Sequence, residues 1–159
     1  MDNYFYSDVK KEGYQVVGWR EWVTFPELGI DSIKAKIDTG ARTSVLHAFQ
    51  LDLFEDKGVK MVDFAIHPEQ YSKEKDIRCV NFLHDVRWIT DSGGHKELRP
   101  VIKTPIKMGQ YSWQIEITLT NRDDMRFRFL LARAGIPKNF LISASSSYLF
   151  GKIFTQSAT

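Results

Sequence analysis

The sequence lacks several features that would assign it to a specialised class of protein. It has a single cysteine, Cys79, so the chain cannot form a disulfide framework, which is typical of a reducing compartment. It has no apolar run of about 18 residues, the length that a membrane-spanning helix needs. The opening MDNYFYSDVKKEGY has no basic segment followed by an apolar run, so it predicts no signal peptide. We therefore expect a soluble, cytoplasmic protein with no membrane partner.

An excess of one charge is also lacking. The 22 basic and 20 acidic residues leave a net charge of +2, whereas nucleic-acid-binding domains usually carry a strong basic excess. The segment RFRF, residues 126–129, mixes basic and aromatic residues, but its alternation is that of any strand with one solvated face. We expect no nucleic-acid partner.

Motifs for metal, nucleotide and covalent catalysis are missing too. The histidines are scattered, with no HExxH motif and no Cys/His pair: His47, His67, His84 and His95. No Gly-Lys-Ser/Thr sequence occurs for a phosphate-binding loop. The serine-rich segment 143–148 contains neither GxSxG nor SxxK. We expect neither a metal nor a cofactor.

Alternation of apolar and polar residues is what the sequence has in abundance. With 159 residues, 43% of them hydrophobic, the chain can bury the core of one domain. Alternation predicts strands at 14–25, 32–38, 45–55 and across 86–131, with hairpin turns at Ser92–Gly94 and Met108–Gln110. Only 132–149 has any helical pattern, and Pro137 keeps it short. The sequence predicts an all-β fold, a small closed or partly closed barrel with at most one short helix.

The tryptophans lie on these predicted strands. We expect them to fill the barrel or a dimer interface, as large aromatic side chains usually do: Trp19, Trp22, Trp88 and Trp113.

One predicted strand ends in an unusual way. SIKAKID runs directly into Asp38-Thr39-Gly40, and an apolar segment resumes at Val45. Alone, an Asp-Thr-Gly triplet indicates only a turn, because Asp and Gly are among the commonest turn residues. Between two apolar strands, however, the triplet is typical of a loop that presents a catalytic carboxyl group.

The residues around this triplet resemble a known family. IKAKIDTGARTSVLHA is similar to the active-site loop of retropepsin-like aspartic peptidases. With VGWREWV, RPVIKTPIKMG and WQIEITLTNRDDMRFRFLLAR, it resembles a bacterial subfamily that has been labelled ATP-dependent zinc proteases and is associated with ATP-grasp enzymes that add glutamate to proteins or peptides. The resemblance covers about residues 15–150. The residues give no support to the zinc and ATP parts of that label.

The resemblance implies a retropepsin (acid protease) barrel and a set of site residues. The barrel domain would span 14–151, between a flexible N-terminal segment, 1–13, and a C-terminal tail, 152–159. Asp38 would be the catalytic aspartate, with Thr39 and Gly40 completing its loop. Ser92, Gly93 and Gly94 would form the tip of a flap over the substrate. Residues 130–133, LLAR, would brace the catalytic loop, with Ala132 in place of the usual glycine.

Aspartic-peptidase chemistry needs two carboxyl groups, whereas this chain has one Asp-Thr-Gly. Two adjacent carboxyl groups share a proton, so that one activates a water molecule while the other polarises the peptide carbonyl. A symmetric homodimer would supply one Asp38 from each copy. Alternatively, Asp123 or Asp124 of the same chain would provide the second carboxyl group.

Arg42, two residues after the triplet, has two opposed interpretations. A guanidinium beside a carboxyl group favours its charged form, which works against a shared proton. It would equally suit a substrate carboxylate. We expect substrate binding from Arg42 and from the arginines of the resembling segments, Arg99, Arg122 and Arg133. In the alternative, these arginines form ion pairs with Asp123, Asp124 or Glu97.

Two functions follow as hypotheses. The first is an aspartic peptidase, a homodimer acting on a peptide or protein substrate that is acidic or extended with glutamate. The second is a non-catalytic module with the retropepsin fold, which binds a peptide or regulates a partner ATP-grasp glutamate ligase. The intact triplet favours the first hypothesis, and Arg42 and Ala132 favour the second.

Overall fold

The computed structural model describes residues 13–69 and 76–152. Two single-turn 3-10 helices, Pro26–Leu28 and Arg133–Gly135, interrupt a series of β-strands. The strands are β1 (Gln15–Phe25), β2 (Ile30–Asp38), β3 (Ser44–His47), β4 (Phe49–Asp56), β5 (Val59–Ile66), β6 (Ile77–Phe82), β7 (Asp85–Thr90), β8 (Lys96–Met108), β9 (Tyr111–Thr120), β10 (Phe129–Ala132) and β11 (Phe140–Ser147). The predicted division of the chain stays a prediction, and most of its two terminal segments lies outside the described residues.

Six of the strands close into a barrel. Their order is β1-β2-β10-β3-β9-β8, and β8 returns to β1 where Lys107 pairs with Thr24. Outside the barrel, β11 pairs with β1 and β7 pairs with β8. No α-helix occurs in the described part of the chain. The prediction of an all-β closed barrel is confirmed.

The barrel interior contains the apolar side chains that alternate along its strands. Phe25 and Phe129 meet edge to face with ring centroids 4.9 Å apart, and both are fully buried. Around them lie the other large buried side chains of the barrel strands, Ile30, Ile33, Leu46, Ile102, Ile106, Met108, Ile117 and Leu119. Burial of these side chains contributes about 1.5–3 kcal/mol each, so they hold the barrel together.

The third predicted strand, 45–55, is in fact two strands in two sheets. β3 belongs to the barrel, whereas β4 begins a separate antiparallel sheet of order β4-β5-β6. The break falls at Ala48, which is fully buried and donates its N–H to the carbonyl of Thr120 at 2.9 Å. Gln50, just beyond, has a left-handed backbone with φ of 50°. The expectation of one continuous strand was wrong because the apolar alternation continues across the bend.

Residues 132–149, for which a helical pattern was noted, form mainly a strand. Only Arg133–Gly135 is helical, and β11 follows as a parallel neighbour of β1, with Ile142 opposite Val17. The strand predicted across 126–131 was also too long, because β10 begins only at Phe129. β11 is a strand because its backbone pairs with β1 at the edge of the sheet.

A buried carboxylate attaches the end of β11 to the barrel. Glu21 of β1 has no solvent exposure, and it accepts hydrogen bonds from three backbone N–H groups. Oε2 accepts from Gly18 at 2.6 Å and from Leu149 at 3.1 Å, while Oε1 accepts from Phe150 at 3.2 Å. The charge is therefore satisfied by donors from both ends of the domain.

Removal of this charge should destabilise the fold. In Glu21→Gln, the amide NH₂ group cannot accept a hydrogen bond, so at least one buried N–H group loses its partner. We expect the free energy of unfolding to fall by about 2–4 kcal/mol, measured by urea denaturation. Glu27→Gln, at an exposed glutamate, is the matched control. Equal stability of the two variants would contradict the role assigned to Glu21.

Cys79 on β6 is a buried thiol. It is 4% exposed, and its Sγ donates a hydrogen bond to the carbonyl of Leu28 at 3.4 Å. Burial disfavours the thiolate and raises the pKa of this group from 9.0 to about 11. The thiol therefore connects the small sheet to the barrel as a neutral side chain, in agreement with the low reactivity expected of a core cysteine.

The shifted thiol should make the fold sensitive to alkali. Because the folded pKa is raised, its contribution to stability is complete below pH 9 and is lost as the pH rises through about 11. Between pH 8 and 11 we expect this group to account for about 2 kcal/mol of lost stability. Urea denaturation at both pH values, for wild type and Cys79→Ala, should show a smaller loss in the variant. The same loss in both proteins would refute this assignment.

Candidate active site

The Asp-Thr-Gly loop begins where β2 ends. Asp38 is half-buried, and its Oδ1 accepts a hydrogen bond of 3.0 Å from the N–H of Gly40. Thr39 and Gly40 are exposed at the tip of the turn. The loop therefore holds the carboxyl group of Asp38 through its own backbone and leaves Oδ2 without a donor among the described residues.

Strand β10 braces this loop. It lies between β2 and β3, parallel to the former and antiparallel to the latter, with Ala132 opposite Asp38. Beyond the strand, the N–H groups of Arg133 and Ala134 donate to the carbonyls of Ala41 and Arg42, both at 3.0 Å. Residues from distant parts of the sequence thus fix the position of the Asp-Thr-Gly loop.

Two side chains add to the brace. The guanidinium of Arg133 donates to the carbonyl of Thr39 at 2.7 Å. Ser44 Oγ accepts the buried N–H of Ala132 at 3.0 Å. Ala132 has an extended backbone, φ −95° and ψ 173°, which any residue adopts, so its methyl group replaces the expected glycine without backbone strain.

An open groove with a volume of about 1230 Å³ runs past the Asp-Thr-Gly loop. Of the predicted site residues, those that line it are Asp38, Gly40, Arg42, Ser92, Arg99 and Arg122. Thr39, Gly93, Gly94 and Arg133 lie outside the lining. The structure therefore brings the aspartate, one residue of the predicted flap tip and three of the four predicted arginines to one groove, whereas Arg133 holds the loop.

The predicted flap is the outer part of the β7–β8 hairpin. β8 pairs with β9 only from Val101 to Met108, so residues 85–100 extend away from the barrel. At the tip, Asp91 Oδ1 accepts the N–H groups of Gly93 and His95, each at 2.9 Å. The hydrogen bond from the His95 amide lowers the pKa of Asp91. The tip is a hydrogen-bonded turn with a charged carboxylate.

Two of the predicted arginines have carboxylate partners. Arg99, which is 6% exposed, donates to Glu97 at 3.0 Å. Arg122 lies 3.6 Å from Asp124 and 4.0 Å from Asp91 of the hairpin tip. The pairs with Glu97 and Asp124 are two of the ion pairs that were given above as the alternative to substrate binding by these arginines.

Sequence reasoning missed a second charged cluster in the groove. Glu116 of β9 accepts hydrogen bonds from Arg87 at 2.7 Å and His84 at 3.1 Å, and Arg87 also donates to Asp85 at 2.7 Å. The hydrogen bond from Arg87 lowers the pKa of Glu116, and the two carboxylates raise that of Arg87. Alternation on β7 and β9 places these residues on the solvated faces, but only the tertiary pairing brings them together.

Trp88 of β7 also lines the groove. It is 69% exposed, so it does not fill the barrel, and the alternative place in a dimer interface stays a prediction. A solvated tryptophan on the hairpin gives the groove an apolar surface beside its charges.

Neither a metal centre nor a membrane span is found in the described ranges. Within 13–69 and 76–152, no group of three or more His, Cys, Asp or Glu residues is arranged to hold a metal ion. The same residues contain no helix that is long and apolar enough to cross a membrane.

Comparison with known families agrees with this geometry. The model of the RimB-like family, described as retropepsin-like aspartic endopeptidase RimB, matches residues 16–152. The chain belongs to this family. The resemblance of the Asp-Thr-Gly loop to retropepsin-like peptidases is thereby confirmed.

Relatives of this family member include much longer proteins. A probable alpha-L-glutamate ligase of Desulfotalea psychrophila is 39% identical over 95% of this chain and 32% of its own length. A protein of the same name from Shewanella halifaxensis is 41% identical over 86% of this chain and 30% of its own. The chain spans about a third of the length of these relatives.

A solved structure shares the fold. It is that of a Legionella pneumophila protein of unknown function, with a TM-score of 0.67 and 26% identity. The match covers 85% of this chain and 97% of the other.

The charged cluster at Glu116 should restrain the hairpin. In Glu116→Gln the ion pair with Arg87 is lost, and we expect faster amide hydrogen exchange in residues 85–100 but not in 101–108. Glu55→Gln, on an exposed strand of the small sheet, is the control. In wild type the same effect should develop only as the pH falls through the lowered pKa of Glu116, below its ordinary 4.5. Unchanged exchange in Glu116→Gln would show that the cluster at Glu116 does not restrain the hairpin.

Proposed function

We propose that the chain is an aspartic peptidase whose catalytic pair consists of two Asp38 carboxyl groups, one from each copy of a homodimer. The observation that carries this proposal is the braced loop. Asp38 lies on a groove, its position is fixed by β10, and its Oδ2 has no donor among the described residues. A pre-positioned and accessible carboxyl group is what the chemistry requires.

The proposed reaction is hydrolysis of a peptide bond. The charged Asp38 accepts a proton from a water molecule, which attacks the carbonyl carbon. The protonated Asp38 of the other copy donates a hydrogen bond to the carbonyl oxygen and stabilises the negative charge that develops there. When the tetrahedral intermediate collapses, the Asp38 that took a proton from water delivers it to the leaving nitrogen. The C–N bond breaks and the pair returns to its starting protonation state.

The second carboxyl group has no good candidate among residues 13–69 and 76–152 of the same chain. Asp91 and Glu116, which share the groove with Asp38, have pKa values lowered by their hydrogen-bond donors, so they hold a proton poorly. Asp123 and Asp124 do not line the groove, and they lie 3.4 Å from His47 and 3.6 Å from Arg122 respectively. These contacts support the symmetric dimer over the single-chain alternative.

Acidic peptides are the substrates we propose. Five basic residues line the groove, Arg42, Arg87, Arg99, Lys103 and Arg122, against the three acidic residues Asp38, Asp91 and Glu116. The relatives named probable alpha-L-glutamate ligase contain a segment similar to this chain within a longer protein. We propose a functional link to such a ligase, with glutamate-extended peptides as the substrate and the cytoplasm as the site of action.

The second candidate is a non-catalytic peptide-binding or regulatory module that partners an ATP-grasp ligase. Arg42 favours it, because this cation shares the groove with Asp38 and has no carboxylate partner among the described residues. A free guanidinium favours the charged form of nearby carboxyl groups, which suits binding better than proton sharing.

Substitution of Asp38 separates the two functions. Asp38→Asn keeps the shape of the side chain and removes the carboxylate, so we expect cleavage of glutamate-extended peptides between pH 4 and 8 to fall by about 10²–10⁴-fold. Asp52→Asn, at an exposed aspartate of β4, should keep wild-type activity. Turnover in neither wild type nor variant would reject the peptidase in favour of the binding module, and equal turnover in both would reject catalysis by Asp38.

Mixing experiments test the dimer. If each active site needs two Asp38 residues, inactive Asp38→Asn subunits exchanged into wild-type dimers reduce activity below the fraction of wild-type chains. A decrease in simple proportion to that fraction would assign the whole site to one chain.

A further inference from the structure

The basic residues of the groove fall into two groups according to their partners. Arg87, Arg99 and Arg122 lie within 4.0 Å of a carboxylate, namely Glu116 and Asp85, Glu97, and Asp124 with Asp91. Arg42 and Lys103 have no carboxylate within that distance in residues 13–69 and 76–152, and both are exposed. We propose that Arg42 and Lys103 are the specificity-determining residues that bind a substrate carboxylate, an inference that rests on the proposed function.

The paired arginines are poor candidates for binding a substrate carboxylate, because each already interacts with a carboxylate of the chain. Binding of a substrate carboxylate to Arg99 would compete with Glu97, which also accepts a hydrogen bond from Thr120 at 2.9 Å. Arg87 is engaged at Nε by Asp85 and at Nη1 by Glu116. A cation in a hydrogen-bonded ion pair gains little from a second anion unless the first is displaced.

Lys103 has an acidic neighbour that does not neutralise it. It pairs across β8 and β9 with Glu116, so the two side chains lie on the same face of the sheet. The two oxygens of Glu116 accept hydrogen bonds from His84 and Arg87 instead. The ammonium group of Lys103 therefore remains available to an incoming anion.

Strand order places Arg42 and Lys103 on either side of β9. β3, which follows the Arg42 loop, pairs with β9 in parallel, with Ser44 opposite Ile117. Lys103 lies on β8, the other neighbour of β9, opposite Glu116. Two interstrand spacings, about 10 Å, separate β3 from β8. Long side chains that line one groove from both sides of β9 can bind one glutamate side chain between them, or two successive carboxylates of one peptide.

Binding in the absence of turnover tests this inference. The probe is fluorescein-labelled hexaglutamate, with labelled hexaglutamine as its uncharged counterpart, and the protein carries Asp38→Asn to prevent cleavage. Fluorescence anisotropy gives the affinity of this protein and of versions that also carry Arg42→Gln, Lys103→Gln or Lys107→Gln. Lys107 is exposed on the same strand as Lys103 but outside the groove lining, so it controls for the loss of one positive charge.

We expect Arg42→Gln and Lys103→Gln each to weaken hexaglutamate binding by about 5- to 20-fold, whereas Lys107→Gln changes it less than twofold. Hexaglutamine binding should be the same in all of them. Equal losses for Lys103→Gln and Lys107→Gln, or equal effects on both peptides, would overturn the inference. No hexaglutamate binding to the Asp38→Asn protein would also overturn it.

The outcomes separate this inference from the proposed catalysis. Selective loss of hexaglutamate binding in a chain with no turnover at any pH would support the carboxylate subsite while rejecting the peptidase. Cleavage by the wild-type chain that Arg42→Gln and Lys103→Gln reduce equally for acidic and neutral peptides would reject the subsite while leaving the peptidase in place. Circular dichroism and urea denaturation establish that each variant is folded.

Discussion

The insertion of β10 between β2 and β3 is the constraint on which the site depends. The two strands that flank the Asp-Thr-Gly loop do not pair with each other, and β10 fills the space between them. Its hydrogen bonds continue past its end, where Arg133 and Ala134 donate to the loop carbonyls of Ala41 and Arg42. Since these backbone hydrogen bonds hold the loop at the ends of β2 and β10, the fold itself fixes the position of Asp38.

The opposite wall of the groove is held by weaker means. The outer β7–β8 hairpin has no strand partner in the barrel beyond Val101, and its contacts with β9 and the loop after it are side-chain bonds such as Glu116 to Arg87 and Asp91 to Arg122. Exposed ion pairs contribute about 0–1 kcal/mol each, far less than a set of buried backbone hydrogen bonds. Movement of the hairpin therefore costs less free energy than movement of the Asp-Thr-Gly loop.

Sequence patterns predicted the parts of this arrangement that are local. Alternation predicted β1, β2 and the two hairpins. The family resemblance predicted that residues 130–133 brace the loop of Asp38. What failed depends on distant contacts. The bend at Ala48 keeps the alternation of a single strand, and β11 is a strand because β1 offers an edge for it. Arg87, Glu116 and Lys103 meet only after β7, β8 and β9 have paired, so no local signal marks them as members of one groove.

The charges of the groove also bear on how two Asp38 residues would share a proton. A cation favours the charged form of a nearby carboxyl group, whereas two carboxyl groups in contact, as in the proposed dimer, repel each other when both are charged. Coulomb energy falls with distance and is weakened by water, so an exposed guanidinium such as that of Arg42 acts less strongly than a second carboxylate in direct contact. A basic groove is therefore compatible with the proposed proton-sharing pair.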